Sequence, residues 1–198
     1  MAKGVGGQMI VKPSADGIAA AVAPVAKRGP PPLHLWNPPF CGDIDMRIAR
    51  DGTWFYLGTP IGRAPLVKLF SSILKREGDA YFLVTPVEKV GIKVDDAPLL
   101  AVDFDVLNPG PDQTLRFTTK TEDVVEAGPD HAIRVTRAAT GEPSPYIHVR
   151  DGLWALIDRK SFYRLVDMGC HAPHMTDSWF GLYSRGQFFP IIPSAELP

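Results

Sequence analysis

The chain has 198 residues, a net charge of −1 and two cysteines. The charge is spread evenly, since residues 35–108 carry 8 basic and 10 acidic side chains and residues 109–198 carry 9 and 11. This balance argues against a nucleic-acid platform, which needs a face dense in Lys and Arg. Two cysteines make no disulfide framework, and no segment resembles a signal peptide or a membrane span, so we expect a cytoplasmic protein.

Residues 1–32 are rich in Gly, Ala and Pro and are predicted to form an N-terminal arm. A short helix is the alternative, with Ser14 as N-cap and Ile18 and Val22 on one face, but Pro24 disfavours it. The prolines at 30–32 then predict an extended connection into an irregular loop over residues 33–42.

A five-residue motif occurs twice, as Arg50-Asp51-Gly52-Thr53-Trp54 and, 100 residues later, as Arg150-Asp151-Gly152-Leu153-Trp154. Asp-Gly between β-branched and aromatic runs predicts a two-residue type I′ hairpin. In the first copy this turn would pair Ile48 with Phe55, which puts Trp54 and Tyr56 on a polar face with Asp45 and Arg47. In the second copy it would pair Val149 with Trp154 in the core, and by analogy Trp54 could also be core. The spacing is too wide for a solenoid, whose units run roughly 20–50 residues, and indicates a duplicated domain.

A helix is predicted after each hairpin. The first begins at Pro65, has an apolar stripe that includes Leu66, Phe70 and Leu74, and ends at Gly78. The second begins with Asp158 as N-cap and ends at Gly169. We therefore expect residues 44–74 and 144–169 to superpose, apart from a loop four residues longer in the first copy.

The remaining strands are predicted to pair as antiparallel hairpins. The runs 81–84, 90–94 and 100–106 precede a turn cluster at 108–112, and 115–119, 124–125, 133–135 and 179–189 follow it. The predicted fold class is α+β, with two small domains from a duplicated hairpin-helix motif and antiparallel sheets. The predicted domains are residues 33–108 and 112–198.

Both copies place an arginine at a helix entrance, Arg63 and Arg159. A helix N-terminus favours anions, and a guanidinium adds bidentate recognition of carboxylate or phosphate. The alternative is that each arginine pairs with a nearby carboxylate such as Asp158. For a phosphate-bearing ligand we expect Arg63 to matter more, because Trp36 and Tyr56 could supply a stacking surface.

We interpret the other candidate residues as structural rather than functional. The cluster Cys170-His171-Ala172-Pro173-His174 matches no zinc template, so no metal site is expected there or at Cys41. Cys41 could be a nucleophile, but it lacks a local base signature, and because a free cysteine is more often simply buried we expect a buried thiol. Asp43 and Asp45 are either paired acids or ordinary edge charges, and Glu88 and Lys89 are read as a solvated pair. No catalytic motif and no cofactor site is predicted.

Several strings resemble the proteobacterial domain-of-unknown-function family numbered twelve eighty-five. They are the run from Leu33 to Met46 with Trp-Asn-Pro-Pro-Phe-Cys-Gly at 36–42, the first Asp-Gly hairpin, Pro60-Ile61-x-Arg63, and Thr-Pro-Val-Glu-Lys at 85–89. The similarity spans roughly residues 30–192. The resemblance implies a duplicated α+β fold with a pleckstrin-homology-like second domain. It also implies a site for a nucleotide-like ligand at the domain junction and a role in signal transduction.

The resemblance carries over Trp36, Cys41, Asp43, Tyr56, Arg63, Glu88 and Lys89 as motif positions without assigned roles. The second copy has Leu156 in place of Tyr56, so any site would be asymmetric. Adding Arg47 and Arg159, we expect a non-catalytic module that binds a small anionic molecule between its domains. A protein-interaction adaptor that uses the pleckstrin-like half is the alternative, and an enzyme is third.

Overall fold

Three α-helices and fifteen strands are formed by the residues that the computed structural model describes, which are 13–26 and 29–197. The strands make two six-stranded sheets and one three-stranded sheet. Most neighbouring strands are antiparallel, so the predicted α+β class is confirmed. The helices are α1 (Ala15–Ala26), α2 (Ala64–Ser72) and α3 (Arg159–Val166).

The first sheet consists of β1 (Phe40–Ile48), β2 (Trp54–Tyr56), β3 (Thr59–Pro60), β4 (Leu74–Glu77), β5 (Ala80–Val84) and β6 (Lys89–Val94). Its strand order is β3-β2-β1-β6-β5-β4. Strands β1 and β6 run parallel, a pairing that hairpin patterns do not predict, and the other neighbours are antiparallel.

The second sheet consists of β7 (Leu99–Leu107), β8 (Thr114–Thr119), β9 (Val124–Glu126), β10 (Ile133–Arg137), β11 (Pro143–Arg150) and β12 (Leu153–Ile157). Its strand order is β10-β11-β12-β7-β8-β9, and β12 and β7 are its parallel pair. The third sheet is a meander of β13 (Cys170–His174), β14 (Asp177–Ser184) and β15 (Gln187–Pro193), in that order.

The duplication appears in the order of elements. In each copy a hairpin leads to a helix and then to a three-stranded meander: β1-β2, α2 and β4-β5-β6 first, then β11-β12, α3 and β13-β14-β15. The extra strand β3 lies in the longer loop of the first copy. The copies differ because β6 pairs with β1, whereas β10 takes the corresponding place beside β11 and the last meander forms its own sheet.

The first hairpin has a three-residue loop, not the predicted two-residue loop. Gly52 N–H donates to Ala49 O and Ala49 N–H donates to Thr53 O, both at 2.9 Å, and in this loop the positive φ falls on Gly52. Asp51 keeps negative φ and accepts from Thr53 N–H at 2.9 Å. The register therefore shifts by one residue, so Ile48 pairs with Trp54 and the predicted pairing with Phe55 is wrong. Trp54 consequently faces the core, 2% exposed and stacked on Phe70.

The second hairpin has the predicted type I′ turn, since both Asp151 and Gly152 have positive φ. An irregularity between His148 and Arg150 changes the pairing beyond it, so Trp154 lies opposite His148 and the predicted partner Val149 is wrong. Trp154 is half-buried in a small cluster with Tyr146 and Leu156.

Residues 15–26 form helix α1, so the predicted arm is wrong for this segment. Ser14 caps the helix by accepting from Gly17 N–H at 3.2 Å, and Ile18 and Val22 are fully buried. Pro24 is tolerated because it lies in the last turn, where it removes one backbone donor from a helix that apolar burial holds in place. Residues 1–12, 27 and 28 of the predicted arm lie outside the described residues.

Helix α2 ends at Ser72, and the predicted extension to Gly78 is wrong. The next residues form β4, in which Leu74 pairs with Leu83, and Gly78 occupies the following turn with φ +61°. Ile73 and Leu74, which complete the predicted helical stripe, are buried beyond the end of the helix, and the other residues of β4 are Lys75, Arg76 and Glu77.

The chain passes from the first six-stranded sheet to the second between β6 and β7. We call the chain up to residue 97 the first half and the rest the second half. Residues 99–107, assigned from the sequence to the first domain, form β7 and pair within the second sheet. The Pro/Gly cluster at 108–112 therefore connects two strands of that sheet. One hydrophobic cluster contains residues of both halves, including Trp54 and Phe117. The pleckstrin-homology-like character of the second half stays a prediction.

Candidate ligand site at the junction of the two halves

The arginine of the first motif copy reaches into the second half. Arg50 Nη2 donates to Ser144 Oγ at 2.8 Å, while its Nη1 pairs with Asp96 Oδ2 at 2.9 Å. The other oxygen of Asp96 accepts from the hydroxyl of Tyr146 at 2.7 Å. Burial and the neighbouring Asp96 raise the pKa of Tyr146, which therefore keeps its proton and donates. Asp96 thus joins the first hairpin to the second sheet.

The arginine of the second copy makes the reciprocal contact. Arg150 Nη2 donates to the carbonyl of Ser71 at 2.8 Å, in the last turn of α2, and its Nη1 pairs with Asp123. A cation at this end of a helix also interacts favourably with the helix dipole. Each motif arginine therefore bridges the halves, which gives the duplicated motif a structural role.

The turns themselves pack across the junction. A Cβ on Gly52 would lie 3.0 Å from Leu100 Cβ, so a side chain here would crowd the second half as well as strain the backbone. Lys120 Nζ donates to Asp51 O at 3.2 Å, and Arg76 Nη1 donates to Gly152 O at 3.4 Å.

A cleft of about 460 Å³ opens beside the first turn. This junction cleft is within the size range of small-molecule sites. Its wall is mostly apolar, and Pro145, Leu156 and Phe162 are buried parts of it. It is lined by Arg50, Asp51, Leu100, Glu142, Pro143, Pro145, Leu156, Ile157, Asp158, Arg159, Phe162 and Tyr163.

Arg159 is the predicted site residue that lines the junction cleft. It stands in the first turn of α3, is 76% exposed, and lies 3.5 Å from Glu142, which is 66% exposed. Its carboxylate partner is thus Glu142 and not the predicted Asp158. Asp158 caps the helix instead, by accepting from Ser161 N–H at 2.8 Å. An exposed pair of this kind contributes little to stability, so Arg159 is available to a ligand.

Arg63 and Tyr56 share a different, smaller depression of about 270 Å³ with Asp16 and residues 59–62. Arg63 is exposed and holds the N-cap position of α2, where its side chain makes no capping hydrogen bond. Trp36 does not line this depression and packs against the core. The predicted stacking surface for an Arg63-bound ligand is therefore reduced to Tyr56.

Parallel pairing of β1 with β6 brings together two of the strings that carry the family resemblance, residues 36–42 and 85–89. Phe40 pairs with Lys89, and Lys89 N–H donates to Pro39 O at 3.1 Å. Cys41 is exposed, so its expected burial is wrong, and its thiol donates to Pro39 O at 3.4 Å. Asp43 is exposed with a carboxylate oxygen directly over Gly91, where a Cβ would lie 2.0 Å away. Gly91 is therefore required for this position of Asp43.

The remaining predicted residues lie on or next to the same sheet, away from the junction cleft. Arg47 pairs with Asp95 at 2.5 Å and lies 4.6 Å from the centre of the Phe55 ring. Lys89 pairs with Glu77 at 2.9 Å, so the predicted Glu88–Lys89 pair is wrong. Glu88 is half-buried, and this desolvation raises the pKa of its carboxyl.

Sequence reasoning missed Arg50, Asp51, Phe162 and Tyr163 as lining residues. The repeat could have identified Arg50, because both copies of the motif have an arginine directly before the turn. A two-residue turn does not itself need an arginine there, so the repeated residue indicates a contact outside the hairpin. The junction cleft depends on how the halves pack, which no local pattern encodes.

Two further properties concern the described residues. They contain no group of three or more His, Cys, Asp or Glu side chains placed to hold a metal ion. Within them, no helix combines the length and apolarity needed to cross a membrane. The expectation that Cys41, Cys170, His171 and His174 bind no metal stays a prediction.

Comparison with known families identifies the class of protein. Residues 31–97 match the family model "Domain of unknown function (DUF1285), N-terminal domain", and residues 98–191 match "Protein of unknown function (DUF1285), C-terminal domain". The boundary between the matches coincides with the change of sheet after β6. The chain belongs to the DUF1285 family, as its motif strings indicated.

One solved structure supports this assignment. A crystal structure of a DUF1285 family protein from Silicibacter pomeroyi DSS-3 is 61% identical, with a TM-score of 0.82 over 92% of this chain and 98% of that one. A DUF1285 family protein from Shewanella baltica OS155 is 36% identical over 62% of this chain and 90% of that one, with a TM-score of 0.49. A search of curated proteins gave no match.

Proposed function

We propose that this protein is a non-catalytic binding module that takes a small organic ligand with an anionic group in the junction cleft. The observation that carries the proposal is the position of Arg159. It is an exposed guanidinium in the first turn of a helix, beside an apolar wall, in a cleft built from both halves. A guanidinium and a helix N-terminus both favour carboxylate or phosphate.

The apolar wall would hold the body of the ligand. Leu100, Leu156 and Phe162 present hydrocarbon surface, and Tyr163 is 58% exposed at the start of α3. Burial of this surface would supply binding free energy while Arg159 sets the orientation. A nucleotide-like ligand, which the family resemblance implied, would place its base here and its phosphate at Arg159.

The chemistry of the lining favours binding over catalysis. In the described part of the chain, the residues around the cleft include no Ser, Thr, Cys, Lys or His, so the candidates left there for a nucleophile or a general base are the three carboxylates and Tyr163. Hydrogen bonds from Thr53 lower the pKa of Asp51, which makes it a poor proton donor at neutral pH.

A cytoplasmic location and a role in signal transduction are parts of this proposal.

Calorimetric titration with AMP and with 3-phenylpropanoate, two small anions with flat apolar bodies, tests the proposal. We expect at least one of them to bind, and Arg159→Gln to weaken that binding. Arg63→Gln is the matched control, since Arg63 is the exposed arginine at the helix entrance of the other copy. Equal weakening by both substitutions, or none by Arg159→Gln, would place the ligand elsewhere.

A protein-interaction adaptor is the second candidate, and the third sheet favours it. An aromatic group is formed there by His174, Trp179, Tyr183 and Phe188. The ring centres of Tyr183 and Phe188 are 5.0 Å apart. Met175 at the neighbouring turn is 92% exposed. Exposed aromatic and Met side chains are enriched at protein interfaces. A protein partner that Tyr183→Ser and Met175→Ser release, with no binding of small anions, would favour this role.

A further inference from the structure

We infer that the ligand of the junction cleft is a zwitterion, an α-amino acid with an apolar side chain, rather than a simple anion. This inference rests on the proposed function and narrows the ligand class of the same cleft. The observation behind it is the charge of the lining. The lining carries more negative than positive side chains, so it does not complement a ligand that has only an anionic group.

Carboxylates outnumber guanidinium groups around the cleft. Asp51, Glu142 and Asp158 face Arg50 and Arg159, so the lining is net negative. A lone phosphate or carboxylate that approaches Arg159 also approaches these acids, and like charges brought together oppose binding. A ligand that carries a cation beside its anion would offset this repulsion.

The groups differ in how far they are already engaged. Arg50 is held by Asp96 and Ser144, and Asp158 is held by the N-terminal backbone of α3. Among the described residues, Arg159 and Glu142 pair only with each other, and Asp51, which accepts from Thr53 N–H, is exposed whereas Asp158 is half-buried. Arg159 can bind a carboxylate, and Glu142 and Asp51 can bind an ammonium group.

Arg159 and Glu142 already display the required arrangement. Their charged ends lie 3.5 Å apart at the protein surface, so each can rotate away from the other at little cost. A bound amino acid would replace this pair, with its carboxylate on Arg159 and its ammonium group on Glu142. Asp51, from the first half, faces the same space and stays ionised because Thr53 donates to it.

The apolar wall would select the side chain. Pro145, Leu156 and Phe162 form a buried surface next to these charges, and the volume of about 460 Å³ accommodates an amino acid with a large side chain. Leucine and phenylalanine are therefore preferred over acidic or basic amino acids.

Three probes that differ by one group test the ligand class. L-Phenylalanine has both charges, 3-phenylpropanoate lacks the amine and 2-phenylethylamine lacks the carboxylate. By calorimetric titration of the full chain, we expect L-phenylalanine to bind at least ~10-fold more tightly than either, as the loss of a charged hydrogen bond implies.

The acids have conservative neutral variants. Asp51→Asn keeps the oxygen that accepts from Thr53 N–H and so preserves the turn, and Glu142→Gln changes an exposed side chain. We expect the double variant to lose most of the preference for L-phenylalanine over 3-phenylpropanoate. Asp151→Asn, at the same position of the second motif copy and outside the cleft, is the matched control and should keep the preference.

The outcomes separate this inference from the proposed function. If 3-phenylpropanoate or AMP binds as tightly as L-phenylalanine, and the binding depends on Arg159, the inference of a zwitterionic ligand is rejected and the proposed anion-binding function is kept. Retention of the full preference in the double variant would also overturn it. Binding of none of the probes would reject both proposals.

Discussion

Arg150 donates from Nη2 to the carbonyl oxygen of Ser71 at 2.8 Å, and so ties the second copy of the motif to the end of helix α2 in the first half. Arg50 makes the reciprocal contact to Ser144. Because both motif arginines cross the junction, we expect the halves to unfold as one cooperative unit.

Replacing Arg150 tests this interface. The side chains of Arg150 and Asp123 are 28% and 24% exposed, so Arg150→Ala removes partly buried charged hydrogen bonds and leaves Asp123 without its cationic partner. We expect the free energy of unfolding to fall by about 2–3 kcal/mol in urea titrations. Arg159→Ala, at a 76% exposed position, should change it by less than ~0.5 kcal/mol. Similar losses in the two variants would argue against a special role for Arg150.

Helix α1 should be an integral part of the fold. Ile18 is fully buried, so Ile18→Ala is expected to lower the free energy of unfolding by roughly 2–5 kcal/mol through lost burial and a cavity. Ala20→Ser, on a more exposed position of the same helix, serves as the control and should have a small effect. A free energy of unfolding unchanged in Ile18→Ala would return this segment to an arm.

The two helix-entrance arginines should differ in binding. Arg159→Lys keeps the charge but loses the planar fork, so affinity for the probe that binds is expected to fall by about 1–3 kcal/mol in calorimetry. Arg63→Lys should leave affinity unchanged, because Arg63 lies in a separate depression. This order reverses the expectation from the sequence. A loss confined to Arg63→Lys would restore Arg63 as the ligand residue.

Glu88 should make stability depend on pH. Burial raises its pKa in the folded state, so the stability linked to this group is present below the unfolded pKa and is lost as pH rises through the folded pKa. Glu88→Gln is therefore expected to be more stable than the wild type at pH 7, with the difference vanishing below about pH 4, the unfolded value. Urea titrations at both pH values measure this. A variant that is less stable at pH 7 would show instead that the carboxylate makes a favourable contact.

The fold class, the duplication and most strands could be predicted because they depend on local alternation and on Asp-Gly turns. The position of Trp54 could not, because one residue in the loop decides the register, and either of two loop types suits Arg-Asp-Gly. Helix α1 was missed because Pro24 lowers helix propensity, whereas burial of Ile18 and Val22 outweighs it.

The site was less predictable than the fold. Arg159 was found from its place at a helix entrance, which is a local feature. Asp51 and Glu142 come from different halves and face one space only after the sheets pack together. Arg50 looked like part of a turn, and its contacts to Ser144 and Asp96 arise at long range.

Native mass spectrometry of freshly purified protein tests the junction cleft most directly. The wild type is expected to retain a small molecule with the mass of an apolar amino acid, and Arg159→Gln is expected to lose it while Arg63→Gln keeps it. Equal retention of the same molecule by wild type and Arg159→Gln would contradict a ligand site at the junction cleft.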